Sequence, residues 1–519
     1  MSEFTTILPK DLYKASQVRE LDRIAIKEMG ISSFDLMKTA GAAVFKVIKK
    51  AWPESKRILV LTGSGNNGGD GYIVAAMAKE SGMSVEVIQL CAGSNLKGDA
   101  KLACEHAESC DVIMQGFTDT TLINNDFPNT IIVDALIGTG IQRKVAGAYK
   151  RAIQGINSTS CPVVAVDIPS GLNADTGKPM DEAVEANITV TFIGVKQGLL
   201  TCNGRDHSGD ILFENLDLPD SVFESDASPS SSVRRIDINH ATRHLPPRKR
   251  SSHKKSHGHV VIVGGDLGFG GAGILAAEAA YRSGSGLVSL ITRTEHRTAA
   301  LARRPEMMVV GTEDNNIDLE SILTDASAIA IGPGLGTSEW GRQLLQLVLR
   351  SQRDTSIPLV VDADALNLLS EKTDLSVKVR PRNWVFTPHP GEAAKLLGCT
   401  TIDIQNDRFT AIKTLVENWS GTFLLKGSGS LTCSSTESSK VYLCTEGNAG
   451  MASGGMGDVL SGIVVSLIGQ GLSLVDALNC AICVHGEAGD LAKESGGERG
   501  LLGADLFPYL RQLVNPPIR

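Results

Sequence analysis

Short apolar runs alternate with amphipathic helical patterns along most of this chain, and the alternation constrains the fold more than any other feature of the sequence. Each run has the length of a strand, and each segment between two runs has the apolar spacing of a helix. Strands that alternate with helices form mostly parallel sheets covered by helices on both faces. We therefore predict an α/β protein whose first series of strands lies at residues 58–61, 85–90, 131–133, 163–166 and 188–192.

The alternation stops between residues 223 and 256, where Ser, Pro, Lys and Arg dominate and no apolar period remains. Such a stretch is typical of a domain boundary. At roughly 150 residues per domain, the 519 residues of the chain suit two large domains. The motifs of the first half do not recur in the second, so we predict two different α/β domains, at residues 1–225 and 226–519. The second series of strands is expected at 260–264, 287–292, 328–331, 359–361, 384–387 and 423–425.

The composition excludes several classes of partner. Lys plus Arg number 50 and Asp plus Glu 58, for a net charge of −8, so nothing attracts the chain generally to nucleic-acid phosphates or anionic lipid. It has no uninterrupted apolar run of about 18 residues and no secretory signal pattern. We expect a cytoplasmic protein that binds neither nucleic acid nor membrane. The Cys480-Ala-Ile-Cys483 pair lies within a helical pattern, which favours core packing over redox or metal chemistry.

A glycine-rich segment, Gly63-Ser-Gly-Asn-Asn-Gly-Gly-Asp-Gly71, follows the first strand and leads directly into a helical pattern. A helix N-terminus in this position suits an anionic ligand. The dinucleotide-binding fingerprint also needs an acidic residue after the next strand, which here ends in Gln89-Leu-Cys91. The domain has no ATP-binding P-loop either. Its nearest match, Gly171 to Gly177-Lys178, has five residues between the glycines and Pro179 where Ser or Thr would bind Mg²⁺. The distinguishing feature of the glycine-rich segment is a group of short polar side chains, Asn66, Asn67 and Asp70.

Two further strands of the first domain end in an aspartate followed by a glycine-containing turn. These segments are Asp134-Ala-Leu-Ile-Gly-Thr-Gly140 and Asp167-Ile-Pro-Ser-Gly171. Ligands of open α/β sheets bind at the carboxyl ends of the strands. Each aspartate taken alone could equally cap the next helix, but three polar strand ends at one sheet edge favour a small-molecule site.

In these three motifs the first half of the chain, over about residues 12–218, resembles the NAD(P)H-hydrate epimerase family. The resemblance implies a Rossmann-like three-layer sandwich that interconverts the R and S epimers of hydrated NADH and NADPH. It implies a potassium ion bound by Asn67, Asp134 and Ser170, and Asp167 is our candidate acid or base. The hydrate is expected to contact Asn66, Asn67, Gly68, Gly69, Asp70, Gly138, Thr139, Gly140, Ile141, Gln142, Arg143, Lys144 and Asp167.

In the second half a run of glycines ends in an aspartate at the head of an apolar helix, in the segment Asn448-Ala-Gly-Met-Ala-Ser-Gly-Gly-Met-Gly-Asp458. Exposed amides and the helix dipole would form an anion hole there, beside a carboxylate that can accept a proton. This arrangement suits phosphoryl transfer from a nucleotide to a hydroxyl. A capping role would explain Asp458 but not the glycines before it. Further glycine, aspartate, histidine and lysine motifs follow neighbouring strands at 264–272, 332–336, 362–364, 387–392 and 426–430.

This set of motifs resembles the ribokinase-like superfamily and, within it, the nucleotide-dependent NAD(P)H-hydrate dehydratases, from about residue 236 onward. The two halves in this order resemble the family of bifunctional NAD(P)H-hydrate repair enzymes. The resemblance implies that Asp458 is the general base for dehydration of the S hydrate, with Mg²⁺ and ADP giving AMP and phosphate. Contacts to the hydrate are expected at Ala272, Gly334, His389 and Asp458. Contacts to the nucleotide are expected at Lys426, Gly427, Ser428, Gly429, Ser430 and Gly457.

Two other functions fit parts of the sequence. A small-alcohol or vitamin-precursor kinase with a ribokinase-like fold would release a stable phosphorylated product. The first domain could alternatively be a silent nucleotide-sensing scaffold, although the joint presence of Asn67, Asp70, Asp134 and Asp167 argues against that role. The motifs leave ADP and ATP open as donors, with the resemblance favouring ADP, and we expect a homo-oligomer.

Overall fold

The structure is a computed structural model that describes residues 8–118, 129–245, 247–315, 317–371, 383–437 and 440–515. The chain divides into two compact units, Met1–Val233 and Arg234–Arg519. The division lies slightly beyond the boundary expected after residue 225. Ser231 Oγ donates a hydrogen bond to Leu12 O at 2.8 Å and Gln17 Nε2 donates one to Ser230 O at 2.9 Å, so part of the Ser-rich segment packs with the first unit.

The first unit alternates strands and helices as the sequence predicts. Its strands are β1 (Asp11–Tyr13), β2 (Arg57–Thr62), β3 (Ser84–Gln89), β4 (Ile113–Gly116), β5 (Thr130–Ala135), β6 (Val163–Val166), β7 (Ile188–Phe192), β8 (Val195–Lys196) and β9 (Asp210–Glu214). Its helices are α1 (Ala15–Lys27), α2 (Ser33–Ala51), α3 (Asn66–Glu80), α4 (Gly98–Ser109), α5 (Gly147–Asn157), α6 (Gly204–Ser208) and α7 (Ser221–Glu224).

Seven of these strands form one parallel sheet in the order β4-β3-β2-β5-β6-β7-β9. Side chains alternate between its faces. Ile58 and Val60 pack in a core with α1 to α4, whereas Leu59 and Leu61 pack in a separate core with α5. Both faces are therefore covered, and the unit is a three-layer sandwich.

The second unit repeats this architecture with a different sheet. Its strands, beginning with one that spans the division between the units, are β10 (Val233–Ile236), β11 (His259–Val263), β12 (Leu287–Thr292), β13 (Met308–Gly311), β14 (Ala328–Ile331), β15 (Leu359–Val361), β16 (Trp384–Phe386), β17 (Thr422–Leu425), β18 (Ser430–Ser434) and β19 (Val441–Cys444). Its helices are α8 (Ile238–Ala241), α9 (Gly270–Arg282), α10 (Arg297–Arg303), α11 (Leu319–Thr324), α12 (Glu339–Thr355), α13 (Ala363–Ser370), α14 (Pro390–Leu397), α15 (Thr401–Asn406), α16 (Arg408–Trp419), α17 (Met456–Gly469), α18 (Leu474–Gly496) and α19 (Phe507–Leu513).

Strands β13-β12-β11-β14-β15-β16-β17 are parallel neighbours, and β18 and β19 extend the sheet in antiparallel pairing. The direction changes because β18 follows β17 after a short turn, and a parallel neighbour would need a longer crossover. Helices α9 and α17 pack closely against each other, since a Cβ at Gly462 would lie 2.1 Å from Ala276 O. The predicted α/β class and both parallel sheets are confirmed.

None of the helices in the described ranges is long and apolar enough to cross a membrane. The ten cysteines are free thiols, and five of them are buried. Cys480 and Cys483 lie on α18 within the core of the second unit, as the helical pattern around them predicts.

Candidate active sites

The first unit contains a cavity of about 940 Å³ at the carboxyl ends of its strands. Most of the predicted hydrate-binding residues line it, from the start of α3, the segment after β5 and the segment after β6. These lining residues are Asn66, Asn67, Asp70, Gly138, Thr139, Gly140, Ile141, Gln142, Arg143, Lys144 and Asp167. Arg143 and Lys144 supply positive charge, which suits the pyrophosphate of a dinucleotide.

Gly68 and Gly69 are buried behind this surface and do not line the cavity. The sequence suggested a loop there, but α3 already begins at Asn66. The glycines allow close packing instead, because a Cβ at Gly68 would lie 2.3 Å from Gly63 O and one at Gly63 would lie 1.9 Å from Leu136 O. The glycine run therefore brings the helix N-terminus against the segment that follows β5.

Asp134 and Ser170 form a buried network beside this packing. Ser170 Oγ donates to Asp134 Oδ1 at 2.5 Å and Ser170 N donates to Asp134 Oδ2 at 2.7 Å. Ile137 N donates to Ser170 Oγ at 2.8 Å, which ties the segment after β5 to the turn after β6. Burial raises the pKa of Asp134 to about 6, although the hydrogen bonds from Ser170 and Leu136 oppose this shift. Neither Asp134 nor Ser170 lines the cavity itself.

Asn67 lies next to this network and is 8% exposed. Its Nδ2 has no hydrogen-bond partner in the described part of the chain, and its Oδ1 would lie 3.5 Å from a Cβ at Gly138. A carboxylate, a hydroxyl and an amide oxygen therefore lie around the Leu136–Gly138 turn. Neutral oxygens with a single carboxylate suit a weakly charged hard cation better than a divalent one, so the donor set fits the predicted potassium ion.

Asp167 has the most unusual environment in the cavity. Its φ of +66° is rare for a residue with a side chain, and its Oδ1 is in direct contact with Lys196 Nζ. Phe192 N and Thr191 Oγ1 also donate to Oδ1, at 3.1 and 3.3 Å. Oδ2 accepts no hydrogen bond from the described residues, and Asp167 lines the cavity.

Sequence reasoning missed Lys196, which is completely buried. Its ammonium group donates to Thr191 Oγ1 at 3.1 Å and to Phe192 O at 2.9 Å, in addition to Asp167. A signal was present, because Lys196 is the one charged residue in the apolar run from 188 to 200. Lysine is almost never fully buried unless it is paired.

Acidic side chains surround this ion pair. Burial raises the pKa of Asp70 well above its usual value, and the carboxylates of Asp167 and Asp22 add to the shift. Asp22 of α1, which was also missed from the sequence, has its pKa raised by burial and then by Asp167. The cavity is thus lined by the acidic side chains of Asp22, Asp70 and Asp167 around the buried Lys196. The basic segment at Arg143 and Lys144 also lines it.

The predicted active site of the second unit is built around an ion pair between the half-buried Lys426 and the buried Asp362. Lys426 Nζ donates to Asp362 Oδ1 at 2.7 Å, and Ser461 Oγ donates to Asp362 Oδ2 at 2.6 Å. Gly457 packs against this pair, since a Cβ there would lie 3.4 Å from Lys426 Nζ. Asp458 follows in the first turn of α17, and burial raises its pKa to about 6, with a further contribution from the Asp362 carboxylate.

The predicted nucleotide-binding residues 426–430 are held from behind by Arg408, which sequence reasoning did not single out. Arg408 is 1% exposed, and its guanidinium donates to the carbonyl oxygens of Leu425, Lys426 and Gly429 at 3.2 to 3.3 Å. Gly427 has a φ of +137°, and a Cβ there would lie 2.8 Å from Arg408 Nη1. Ser430 Oγ closes the turn by donating to Gly427 O at 3.1 Å.

His389 has a structural role that the sequence did not predict. It is the N-cap of α14, and its Nδ1 accepts hydrogen bonds from Gly391 N and Glu392 N at 3.0 and 3.2 Å. Its Nε2 lies 3.3 Å from Glu392 Oε1. Partial desolvation and the charge of Lys426 lower the pKa of His389, and burial raises that of Glu392 to about 7. The His389 side chain stays 57% exposed, so it can also contact a ligand.

Ala272 and Gly334 face each other at the same sheet edge, where a Cβ at Gly334 would lie 3.0 Å from that of Ala272. The turn containing Gly334 is anchored to the next strand end, because Gly336 N donates to Asp364 Oδ2 at 2.9 Å. Asp364 in turn contributes to the raised pKa of Asp458. The predicted hydrate and nucleotide contacts of this unit therefore lie along one edge.

Comparison with known proteins identifies the family. A family profile described as NAD(P)H-hydrate dehydratase matches residues 260–511, and one described as the N-terminus of YjeF-related proteins matches residues 33–198. The bifunctional NAD(P)H-hydrate repair enzyme Nnr of Coxiella burnetii is 44% identical over 507 residues, which cover 97% of this chain and 99% of that protein. This chain belongs to the family of bifunctional NAD(P)H-hydrate repair enzymes.

Other relatives of this repair enzyme agree with the assignment. The Escherichia coli Nnr protein is 41% identical over 517 residues, covering 98% of this chain and 95% of that protein, and a Leishmania braziliensis repair enzyme is 37% identical over 99% of this chain and 95% of its own length. A ribokinase-like superfamily protein from Enterococcus faecalis has a similar structure, with a TM-score of 0.50 and 28% identity over 55% of this chain and 96% of its own. The predicted family, fold class and bifunctional enzyme class are confirmed, and the small-alcohol kinase alternative is not favoured.

Proposed function

We propose that the first unit of this repair enzyme interconverts the R and S hydrates of NADH and NADPH through Asp167, and that the second unit dehydrates the S hydrate through Asp458 with ADP as phosphoryl donor. The observation that carries the proposal is the contrast between two carboxylates, one directly after a strand and one at the head of a helix. Asp167 is paired with a buried lysine, whereas Asp458 has its pKa raised to about 6 at the head of a helix.

Dehydration requires a better leaving group than hydroxide. Asp458 takes the proton of the substrate hydroxyl as its oxygen attacks the terminal phosphorus of ADP, which releases AMP. The ring nitrogen then expels phosphate, and loss of a proton from the neighbouring carbon restores NAD(P)H. A base with a pKa near the working pH combines ionisation with proton affinity, and the burial of Asp458 supplies that pKa.

The amides at the start of α17 are proposed to bind the transferred phosphoryl group. A Cβ at Gly457 would lie 3.4 Å from Lys426 Nζ, and Gly455 has a φ of +88° that few other residues adopt. Helix N-terminal amides and a lysine together suit phosphate oxygens. Mg²⁺ would enter with the nucleotide and offset the charge of its phosphates.

Epimerisation moves the hydroxyl from one face of the ring to the other, either through a ring cation or through an opened ring. Both routes need protons moved to and from oxygen. Asp167 Oδ2, which accepts no hydrogen bond from the described residues, is the proposed site that gives the hydroxyl a proton and removes one from the returning water. In the first route the ring is a cation between these steps, and the Asp167 carboxylate favours positive charge there once it has given up its proton. Lys196 anchors Oδ1 and so orients Oδ2 toward the cavity.

Potassium is proposed to bind between Asn67, Asp134 and Ser170. Bound there, the ion would supply positive charge that favours ionised Asp134 and order the turn around Gly138. Asn67 and the 138–144 segment line the cavity, so ordering them would shape the surface that holds the hydrate.

The test is to incubate the full-length protein with the separated R and S hydrates of NADH and with ADP or ATP. We expect ADP to restore the NADH absorbance with stoichiometric AMP and phosphate, from S directly and from R after epimerisation. A stable phosphorylated product would instead support the kinase alternative. The cytoplasmic location and the homo-oligomer stay predictions.

A further inference from the structure

Three metal-ligating side chains meet in the second unit outside the proposed active site: Cys444, Glu446 and Cys483. One ligand atom from each lies within 4.8 Å of the other two. Cys444 Sγ donates to Glu446 Oε2 at 3.0 Å, and both cysteines are buried. The proposed repair chemistry uses none of these residues.

The packing of α18 brings these side chains together. Cys444 is the last residue of β19, Glu446 follows two residues later, and Cys483 lies on α18. Gly486 lies on the same face of α18 as Cys483, because residues three apart are neighbours on a helix surface. A Cβ at Gly486 would lie 2.7 Å from the Cβ of Glu446. The missing side chain thus lets the helix approach the chain segment that carries the carboxylate.

We propose that Cys444, Glu446 and Cys483 form a binding site for a thiophilic divalent cation such as Zn²⁺. Two sulfurs and a carboxylate oxygen are donors that Zn²⁺ commonly takes in proteins, with a water molecule at the fourth position. Ligand atoms around one tetrahedral Zn²⁺ lie about 3.5–4 Å apart. The separations in this cluster therefore need only small side-chain movements to enclose an ion.

The charges of the cluster also favour a cation. Two thiolates and a carboxylate carry three negative charges, which a divalent ion and the nearby guanidinium of Arg235 offset. Zn²⁺ is bound by deprotonated ligands, so metal binding displaces any protons that these side chains hold.

Core packing alone does not explain this arrangement. Packing as apolar side chains accounts for buried thiols such as Cys480, but not for a carboxylate in contact with Cys444. A metal ion can reach the cluster from solvent at Glu446. This residue is only half-buried, and the segment that follows it includes the exposed Ala449. The sequence does not indicate this cluster, because Cys483 lies far from Cys444 along the chain and has a closer cysteine neighbour in Cys480.

The test is to titrate Co²⁺ into the metal-free, fully reduced full-length protein and record its absorption spectrum. We expect one equivalent of Co²⁺ to give visible bands of tetrahedral geometry and a near-ultraviolet thiolate-to-cobalt band, all removed by added Zn²⁺. The Cys483→Ser and Cys444→Ser variants should lose these bands. The matched control is Cys110→Ser, which alters the partly exposed Glu80, His106 and Cys110 group and should keep them.

Thermal unfolding monitors whether each variant is folded. If a serine variant does not fold, the Glu446→Gln variant tests the site instead. It keeps both thiols and should lose most of the Co²⁺ affinity. The proposal is overturned if the wild-type protein develops no thiolate-to-cobalt band. It is equally overturned if the band disappears in Cys110→Ser and persists in Cys483→Ser or in Glu446→Gln.

Discussion

The two units each place an aspartate at the proposed centre of the chemistry, but they surround it with different partners. In the first unit the buried Lys196 contacts Asp167 directly. In the second unit the lysine near the proposed base, Lys426, pairs with Asp362 instead, and Asp458 stays without an ion pair of its own among the described residues.

The two units therefore prepare a carboxylate for proton transfer in two different ways. The Lys196 contact gives Asp167 a counter-ion within an acidic cavity, and it occupies one oxygen while the other is left for the ligand. Burial raises the pKa of Asp458 to about 6; the Asp362 carboxylate adds to this shift, and the Lys426 ammonium opposes it. An aspartate directly after a strand thus serves as an anchored acid or base in the first unit, and an aspartate at the head of a helix serves as a general base in the second.

The largest expected effect is the loss of dehydration in Asp458→Asn. An amide keeps the shape of the side chain but cannot accept the hydroxyl proton, so turnover of the S hydrate should fall by about 10²-fold or more. Recovery of NADH absorbance measures turnover, and calorimetry should find ADP binding unchanged. The Asp167→Asn protein is the matched control and should dehydrate the S hydrate normally. Near-normal turnover of Asp458→Asn would remove this residue from the mechanism.

Asp167→Asn should lower epimerisation by about 10²-fold, because the amide can still orient the ligand but cannot exchange a proton with it. The measurement is conversion of pure R hydrate to S hydrate without nucleotide, followed by chromatography. Asp181→Asn is a close control, since Asp181 also has positive φ and pairs with a lysine, Lys150, but lies at the surface outside the cavity. Retention of most of the rate in Asp167→Asn would leave this residue an orienting role only.

Dehydration by the second unit should depend on pH. Because burial raises the pKa of Asp458 to about 6, this base is protonated and inactive below that value. The kcat/KM for dehydration should therefore fall about tenfold per pH unit below pH 6. The residual activity of Asp458→Asn should not show this fall below pH 6. A fall that persists in the variant would contradict the assignment of Asp458 as the base.

Arg408→Lys should weaken nucleotide binding while leaving the acid-base chemistry intact. A lysine cannot bridge the three carbonyl oxygens that Arg408 holds, and the lost hydrogen bonds amount to about 1.4 kcal/mol, roughly tenfold in the KM for ADP. The fall in kcat/KM below pH 6 should be unchanged in Arg408→Lys, which distinguishes a positioning role from a catalytic one. Arg353→Lys, at an exposed position on α12, is the control. An unchanged KM for ADP in Arg408→Lys would disprove the role.

The smallest expected effect concerns potassium and the first unit. The raised pKa of Asp134 means that the folded unit loses stability as pH rises from about 4 to about 6, where the buried carboxyl ionises. A potassium ion bound to the ionised form would offset that loss. Saturating KCl should raise the melting temperature by about 2–4 °C at pH 7.5 and by less at pH 5. Sodium or choline chloride is the control salt, and an equal response in Asp134→Asn would contradict the site.

Several elements were predictable because their signals are local. Strands β6, β7, β12, β14 and β15 have the predicted bounds, since a strand buried on both faces of a parallel sheet is a continuous apolar run. The polar strand ends were equally visible, because the carboxyl ends of parallel strands meet at one edge. The start of α3 was misjudged, because the glycines that pack against the neighbouring strand end resemble a loop in the sequence.

The sequence by itself determined the two α/β units, the strand-end motifs and the family, because each depends on residue types at short spacing. Only the tertiary structure decided which partner each buried charged side chain contacts. Lys196 with Asp167, Lys426 with Asp362 and Arg408 with the 425–429 carbonyls are contacts between residues 17 to 64 positions apart. Burial and proximity set the protonation of such groups, and both arise only when the strands are placed side by side.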